Sequence, residues 1–469
     1  MRVNLNLESL LNIKSAEAEI INKDSSDIVG QIQHDSREIQ KGDWFICLKG
    51  ESADGHKYIE QALKKGADGI IYEKTSVVEK YDGLAVKDCN SFLGEMAKLK
   101  REKINPFVFA VTGSNGKSST KEIAAFFLSQ MFSKEKVHKT SGNFNNQFGL
   151  PFTLLELEEK HEFAVIEMGT NHPGEIKQLS LWAKPDAAVI TSIAAGHISF
   201  FQSTENIAEE KSDIICGMPA EGVLFVPEEI AHFDKINEKC KPDNIELKSV
   251  PELPQGLNNV RITSEGTRFS YNNHEYVYPA VGRRQFRNFT FIWQIFENLA
   301  QTKEVLKEKL PEILNHLHEL KQMPGRLQLF ENKKYHIWDD TYNANEASYK
   351  AAFEFIHDVK GNASAFGAFG SMAELGDKSL QAHKNLGKAA FQFGFTSVFF
   401  SSKDEKEIEA FTAGWKDAGG LSDDLFAAFN ESSDIKAGVE FLAKKMRKDD
   451  HLLVKGSRSL IMERVFEFI

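Results

Sequence analysis

Short apolar runs alternate with amphipathic stretches along most of the chain. Phe107-Val-Phe-Ala-Val111 lies between Pro106 and Gly113 and predicts a buried strand. From Ser118 the spacing changes: Ile123, Phe127 and Met131 recur at i, i+4 and i+8, which predicts a helix. Before this pair, Gly42 to Leu48 reads as a strand entered by a turn. Tyr58 to Lys65 reads as a helix stopped by Gly66, and Gly69 to Tyr72 as another strand. Further apolar runs start at Phe163, Ala187, Gly222, Thr267, Tyr335, Ala365, Ser397 and Leu452. Several are apolar throughout, as strands of a parallel sheet covered on both faces must be. The alternation predicts an α/β fold.

At 469 residues the chain is too long for one ordinary core. Three α/β domains are expected, over residues 1–104, 105–325 and 326–469. Pro324-Gly325 marks a turn at the second boundary. The central domain carries a mostly parallel sheet. The last alternates like a Rossmann fold but lacks G-x-G-x-x-G, so a dinucleotide is not expected.

Apolar content of 41% and charged content of 27% are those of a globular protein. A net charge of -11 argues against a nucleic-acid partner, whose backbone is anionic. No run approaches a membrane span, and the first residues carry no apolar signal segment. Cys47, Cys89, Cys216 and Cys240 are scattered, which suits reduced cytosolic thiols and not a disulfide framework or zinc site.

Chemistry concentrates where the strand from Phe107 gives way to its helix. Thr112-Gly-Ser-Asn-Gly-Lys-Ser-Ser119 is a glycine loop at a helix start, whose unpaired N–H groups face whatever fills the loop. Lys117 adds a positive charge, and Ser118 a hydroxyl suited to a metal ion. The common G-x-x-x-x-G-K-[ST] pattern would put its first glycine at Val111, so the loop departs from that form. Glu167 ends an apolar strand, where α/β sheets collect ligands, and is a candidate Mg²⁺ ligand. Asn143, Asn145 and Asn146 are too polar for a core. They form a surface loop or a substrate loop, since each amide both donates and accepts. Asp35-Ser36-Arg37, read alone, is a solvated turn.

Together these motifs resemble the Mur ligase family, and in family order they span nearly the whole chain. T-G-x-N-G-K-S resembles its ATP loop, which implies Thr112, Gly113, Ser114, Asn115, Gly116, Lys117, Ser118 and Ser119 as ATP residues. Asp35, Ser36 and Arg37 resemble the segment that holds a uridine diphosphate, for which a hydroxyl and a guanidinium fork are suitable partners. Thr140 to Pro151 matches T-x-G-N-x-N-N-x-x-G-x-P, which makes the asparagines substrate residues. The resemblance implies a second Mg²⁺ bound with help from His197. The family's His-Leu-Glu is here His197-Ile198-Ser199. Ile207 to Asp213 resembles I-A-x-x-K-x-E, whose lysine is carbamylated, so Lys211 is expected to carry a carbamate facing that metal.

Gly282 and Asn288 fit G-x-H-N-x-x-N, with Arg284 and Gln285 in place of His-Asn. Gln285, Asn288, Arg326 of Pro-Gly-Arg and Asp340 are the implied nucleotide contacts. Asp339-Asp-Thr-Tyr-Asn-Ala-Asn345 resembles D-D-S-Y-N-A-N, which puts Asn343 and Asn345 on substrate. Gly370-Ser-Met-Ala-Glu-Leu-Gly376 has Ser371 where Asp is usual. Lys455 and Arg458 of V-K-G-S-R would hold a carboxylate of the incoming peptide. The last motifs point to the family members that add D-alanyl-D-alanine to UDP-N-acetylmuramoyl-tripeptide. The resemblance therefore implies ATP, two Mg²⁺ ions, an acyl-phosphate intermediate, three domains that close to exclude water, and a cytoplasmic monomer. Two other classes share the loop: a nucleotide switch that binds without ligating, and a paralogue with a different or lost acceptor.

Overall fold

The structure is a computed structural model that describes residues 2–50, 53–77, 80–194, 198–301, 304–330 and 332–469. The first sheet contains β1 (Arg2–Asn6), β2 (Glu19–Ile21), β3 (Ile28–Gln33), β4 (Trp44–Ile46), β5 (Gly69–Glu73) and β6 (Gly83–Val86), in the order β1-β3-β4-β5-β6-β2. It is parallel from β3 to β6 and antiparallel at both edges. The helix Cys89–Ile104 follows, its first turn capped by the Asp88 carboxylate, which accepts from Ser91 N (2.6 Å). This helix docks the first sheet on the next. A Cβ on Gly94 would sit 2.0 Å from the Trp182 ring, so only glycine permits that approach. Arg101 reaches across to the carbonyls of Ala183 (2.9 Å) and Lys184 (2.8 Å).

The central sheet holds β7 (Phe107–Thr112), β8 (Val137–Lys139), β9 (Phe163–Glu167), β10 (Ala187–Ile190), β11 (Val223–Pro227) and β12 (Glu246–Val250). Its order is β12-β11-β10-β7-β9-β8, and every pair is parallel. Successive residues point to opposite faces. Val108, Ala110, Ile166 and Ala188 join the core shared with the first sheet. Phe109, Val111, Val165 and Val189 pack beneath the helices Lys117–Phe132 and Arg283–Ala300. Both faces are buried, which is why the run at Phe107 is apolar without alternation. The chain leaves β7 toward one edge and β10 toward the other. Their carboxyl ends therefore flank the crevice where ligands bind in such sheets. The strand that starts at Ala187 stops at Ile190, because Thr191 to Ala194 turn away to bond the glycine loop.

Strands β13 (Leu257–Thr263), β14 (Gly266–Tyr271) and β15 (His274–Tyr278) form a small antiparallel sheet. It covers the helix Arg283–Ala300, with Tyr278 stacked on Phe289 at 4.8 Å. The last sheet contains β16 (Gln328–Phe330), β17 (His336–Asp340), β18 (Ala365–Gly370), β19 (Phe395–Ser402), β20 (Leu425–Phe429) and β21 (His451–Lys455). Its order is β16-β17-β21-β18-β19-β20, parallel except at β16. Among the described residues no helix is long and apolar enough to cross a membrane.

Candidate active site

The glycine loop is folded against the end of β10. Gly113 has φ +148°, and a Cβ there would lie 1.9 Å from Thr191 Oγ1. Ser114 N donates to the Ser192 carbonyl (2.9 Å), and Thr191 Oγ1 donates to the Asn115 carbonyl (2.5 Å). The loop is thus fixed from outside, and the start of the helix Lys117–Phe132 faces the crevice. Lys117 Nζ curls back to donate to the Gly113 carbonyl (2.8 Å). Burial holds this ammonium below its usual pKa, and nearby Glu167 acts in the opposite sense.

Next to Lys117 in the chain, Ser118 Oγ donates to Glu167 Oε1 (3.2 Å), which also accepts from Asn145 Nδ2 (2.7 Å). The backbone N–H of Glu167 donates to Thr140 Oγ1 (3.0 Å). Glu167 Oε2 is buried and has no hydrogen-bond partner among the described residues. A hydroxyl, a carboxylate with one oxygen uncommitted, and an adjacent phosphate loop fit Mg²⁺, which takes one or two carboxylates and fills its shell with phosphate oxygens and water. Among the described residues no cluster of three or more His, Cys, Asp or Glu forms an all-protein metal cage.

Around this centre lies a cavity of about 1070 Å³ lined by all three domains. Asn288 abuts the loop: a Cβ on Gly116 would come within 3.0 Å of Asn288 Oδ1. Arg284 and Gln285 line the same wall. The Arg326 guanidinium lies over the Tyr342 ring at 4.3 Å, and its buried Nε has no hydrogen-bond partner among the described residues. Asp340 accepts from Lys455 Nζ (2.6 Å). Burial raises the Asp340 pKa and lowers that of Lys455, each opposed by the other's charge. Asn345 caps the helix Glu346–Val359 through Oδ1, and its Nδ2 donates to Asn115 Oδ1 in the glycine loop (2.8 Å). The last domain therefore bonds directly to the phosphate loop.

Known proteins match along the same three blocks. Residues 29–101 match the family model described as the Mur ligase family catalytic domain. Residues 111–291 match the Mur ligase middle domain, and 325–458 the Mur ligase glutamate ligase domain. The UDP-N-acetylmuramoyl-tripeptide–D-alanyl-D-alanine ligase of Haemophilus influenzae is 34% identical, over 93% of this chain and 93% of its own. This chain belongs to the Mur ligase family. The Escherichia coli enzyme of the same name is 31% identical, over 92% of this chain and 91% of its own. Among solved structures, MurF from Acinetobacter baumannii superposes with a TM-score of 0.83 at 25% identity, covering 99% of this chain and 98% of that one. MurF from Thermotoga maritima in complex with ADP gives a TM-score of 0.78 at 27% identity, covering 94% and 97%.

The remaining expected residues of this Mur ligase fall into different settings. Lys211 is buried on the helix Thr204–Ser212. Burial, helped by the charge of Lys117, lowers its pKa to about 7, while Glu210 pulls the other way. His197 lies outside the described residues, and so does the side chain of Ser199. Asn143 lines the cavity, while Asn146 Oδ1 accepts from Phe148 N (3.1 Å) and Gly149 N (2.9 Å) and so shapes the loop. Asn343 lines the cavity near Lys455, which donates to its carbonyl (3.0 Å). Ser119 lines the cavity as well, and its hydroxyl has no partner among the described residues. Thr112 lies beneath the loop, with Oγ1 on the Met168 carbonyl (2.8 Å).

Asp35, Ser36, Arg37 and Arg458 do not line the cavity. Asp35 and Arg37 close on each other at 2.7 Å, and Ser36 Oγ donates to Gln61 (2.9 Å). Arg458 is exposed and paired with Glu463. Ser371, the departure from the usual Asp, is buried and accepts from Ser402 Oγ (3.1 Å) within the last sheet. Sequence reasoning missed Thr191, Tyr342 and the first-domain pair Lys49 and Asn90, all of which line the cavity. Tyr342 stood inside the Asp339–Asn345 motif. Thr191 carried no signal, because its role is to hold a loop 76 residues earlier in the chain.

Proposed function

We propose that this Mur ligase couples ATP cleavage to addition of D-alanyl-D-alanine to UDP-N-acetylmuramoyl-tripeptide. The observation that carries the reading is Glu167, with one buried oxygen uncommitted, bonded to the serine of a phosphate loop. The relatives that match end to end support the choice of substrates.

The chemistry has to bring two anions together. A terminal carboxylate oxygen of the tripeptide attacks the γ-phosphorus of ATP, the bond to the β,γ-bridging oxygen breaks, and ADP leaves. The loop N–H groups and Lys117 offset the charge on the phosphates and stabilise the transferring phosphoryl group. Ser118 and Glu167 would hold Mg²⁺, which supplies further charge neutralisation when bound. The dipeptide amine then attacks the acyl carbon. Phosphate departs, a proton is lost from nitrogen, and an amide bond remains. Water has to be kept from the acyl phosphate, and the Asn345–Asn115 bond lets the last domain close over the loop.

In this reading Lys211 becomes a carbamate. Only a neutral amine captures CO₂, and an amine with a pKa near 7 is neutral in a large fraction of molecules at neutral pH. Together with His197 that carboxylate would serve a second Mg²⁺. Gln285, Asn288, Arg326 and Asp340 line the nucleotide side, and Asp35, Ser36 and Arg37 hold the uridine diphosphate. The enzyme acts as a cytoplasmic monomer. The decisive assay measures phosphate release with each substrate omitted in turn. Release that requires both the UDP-tripeptide and D-alanyl-D-alanine is expected. Release from ATP alone would instead fit a nucleotide switch.

A further inference from the structure

The phosphate-loop helix carries a second lysine that the motifs do not use. Lys121 lies one turn beyond Lys117, and its side chain is 1% exposed. Burying an ammonium costs several kcal/mol unless its protons and charge are matched. Here Nζ donates to the carbonyls of Thr140 (2.8 Å) and Gly142 (3.3 Å). It also stands 3.7 Å from Glu167 Oε2 and 3.3 Å from Glu122 Oε1. The gap to Glu167 is too long for a hydrogen bond, so the charge is matched while the oxygen's lone pairs stay uncommitted.

The strand end that Lys121 grips opens the asparagine loop. Thr140 Oγ1 accepts from the backbone of Glu167, and Asn145 Nδ2 donates to Glu167 Oε1. Asn145 is boxed in from the other side. Its carbonyl accepts from Gly169 N (2.8 Å), and a Cβ on Gly169 would lie 2.8 Å from Asn145 Oδ1. One ammonium thus ties the phosphate-loop helix to the loop that aims the carboxylate.

We propose that Lys121 is a positioning residue for the Mg²⁺ site. It clamps the Thr140–Asn146 loop so that Asn145 orients Glu167, and it supplies the counter-charge that lets this carboxylate wait, buried and aimed. The inference rests on Ser118 and Glu167 holding the metal, and the experiment separates the two.

Binding of ADP to the full chain is measured by calorimetry while Mg²⁺ is titrated, and again in excess chelator. Glu167→Gln tests the metal reading: an unchanged Mg²⁺ half-saturation would remove the foundation. Where Glu167→Gln shifts it, Lys121→Met is expected to raise the Mg²⁺ half-saturation roughly tenfold, the usual scale for groups that orient metal ligands. Binding in chelator should stay within about twofold, because Lys121 does not line the loop. Asn145→Ala should shift the half-saturation in the same direction. The double variant should be no worse than the stronger single one, since both act through one tether. A Lys121→Met protein with normal Mg²⁺ half-saturation, or additive effects in the double variant, overturns the proposal. Should Lys121→Met not fold, Asn145→Ala decides by itself, and normal Mg²⁺ dependence there overturns it equally.

Discussion

Two polar clusters of this Mur ligase were both read as sites, and the structure builds them in opposite ways. At the carboxyl end of the central sheet, Ser118, Glu167 and Asn145 are locked together by hydrogen bonds among buried or half-buried groups. In the first domain, Asp35 and Arg37 meet near the surface, and Arg37 is 78% exposed. That ion pair holds the Asp35 carboxyl down to about 2, chiefly through the Arg37 hydrogen bonds. An exposed pair of this kind contributes little to stability and is cheap to open. The first cluster is already ordered for a reaction that fails if the groups are misplaced. The second has a local partner that a diphosphate would replace if, as proposed, this cluster holds the substrate. Preorganisation belongs where a transition state is stabilised, and exchangeable contacts suffice where a substrate is held.

The largest test of that contrast is Lys117→Ala. Its one hydrogen bond among the described residues returns to the loop carbonyl of Gly113, so the fold should survive. Coupling of the two wall precursors should fall about a thousandfold, the scale seen when one charge-stabilising donor is lost. Undiminished product would mean that the loop is not where phosphoryl transfer occurs.

Lys211 comes next. Intact mass measured without acid, on protein kept in bicarbonate, should exceed the sequence mass by one CO₂. Acid should strip the group. The sign of the pH effect follows from the amine. Its pKa of about 7 lies below the ordinary lysine value, so protonation below pH 7 removes the nucleophile. Reactivation of stripped enzyme by bicarbonate should therefore increase as pH rises through 7. Lys211→Ala should lose roughly a hundredfold in turnover, within the range for lost groups around a metal site. An unmodified mass at pH 8 in bicarbonate would refute the carbamate.

Asn345→Ala asks whether order at the central cluster depends on the last domain. The substitution removes both the helix cap and the bond to Asn115. Asn345→Ser can keep the cap and lose the bridge, because serine also caps well. Asn345→Ser should lower kcat by about tenfold through poorer closure, with little change in melting temperature. Small-angle scattering with nucleotide and UDP-tripeptide should show a more open average shape than the parent. Equal scattering and equal kcat would detach the bridge from catalysis.

The sequence made the centre legible for the same reason that the centre is ordered. A strand buried on both faces must be apolar throughout, so the break to Gly113 and Lys117 stands out. The covered strands at Phe163, Ala187, Ala365 and Ser397 were readable on the same ground. Edge strands were not: Val137–Lys139 is half-exposed and mixed in character, and Leu425–Phe429, though apolar, is half-exposed with no polar face to set its period. Thr191 and Lys121 were silent because their work is tertiary, holding segments that are distant in the chain. The V-K-G-S-R motif divides between two settings. Lys455 ends a buried strand and turns inward to Asp340, while Arg458, three residues on, points to solvent and Glu463. Spacing alone does not say that the chain turns between them.

Arg37→Ala is the mildest test and bears on the exposed half of the comparison. The guanidinium touches only Asp35 among side chains that bond it, and Lys65 bonds its carbonyl and not its side chain. Losing it should leave the melting temperature and kcat unchanged. It should raise KM for the UDP-tripeptide roughly fivefold, the effect of one solvent-screened bond to a charged group. KM for ATP and for D-alanyl-D-alanine should not move. The pattern matters more than its size, because uniform binding lost from ground and transition state alike changes KM and spares kcat. A fall in kcat instead would show Arg37 acting on the transferring phosphoryl group, and the division between a rigid reaction centre and an exchangeable grip would have to be withdrawn. An unchanged KM for the UDP-tripeptide would place the diphosphate elsewhere, with Lys49 and Asn90 on the cavity wall as the first residues to test.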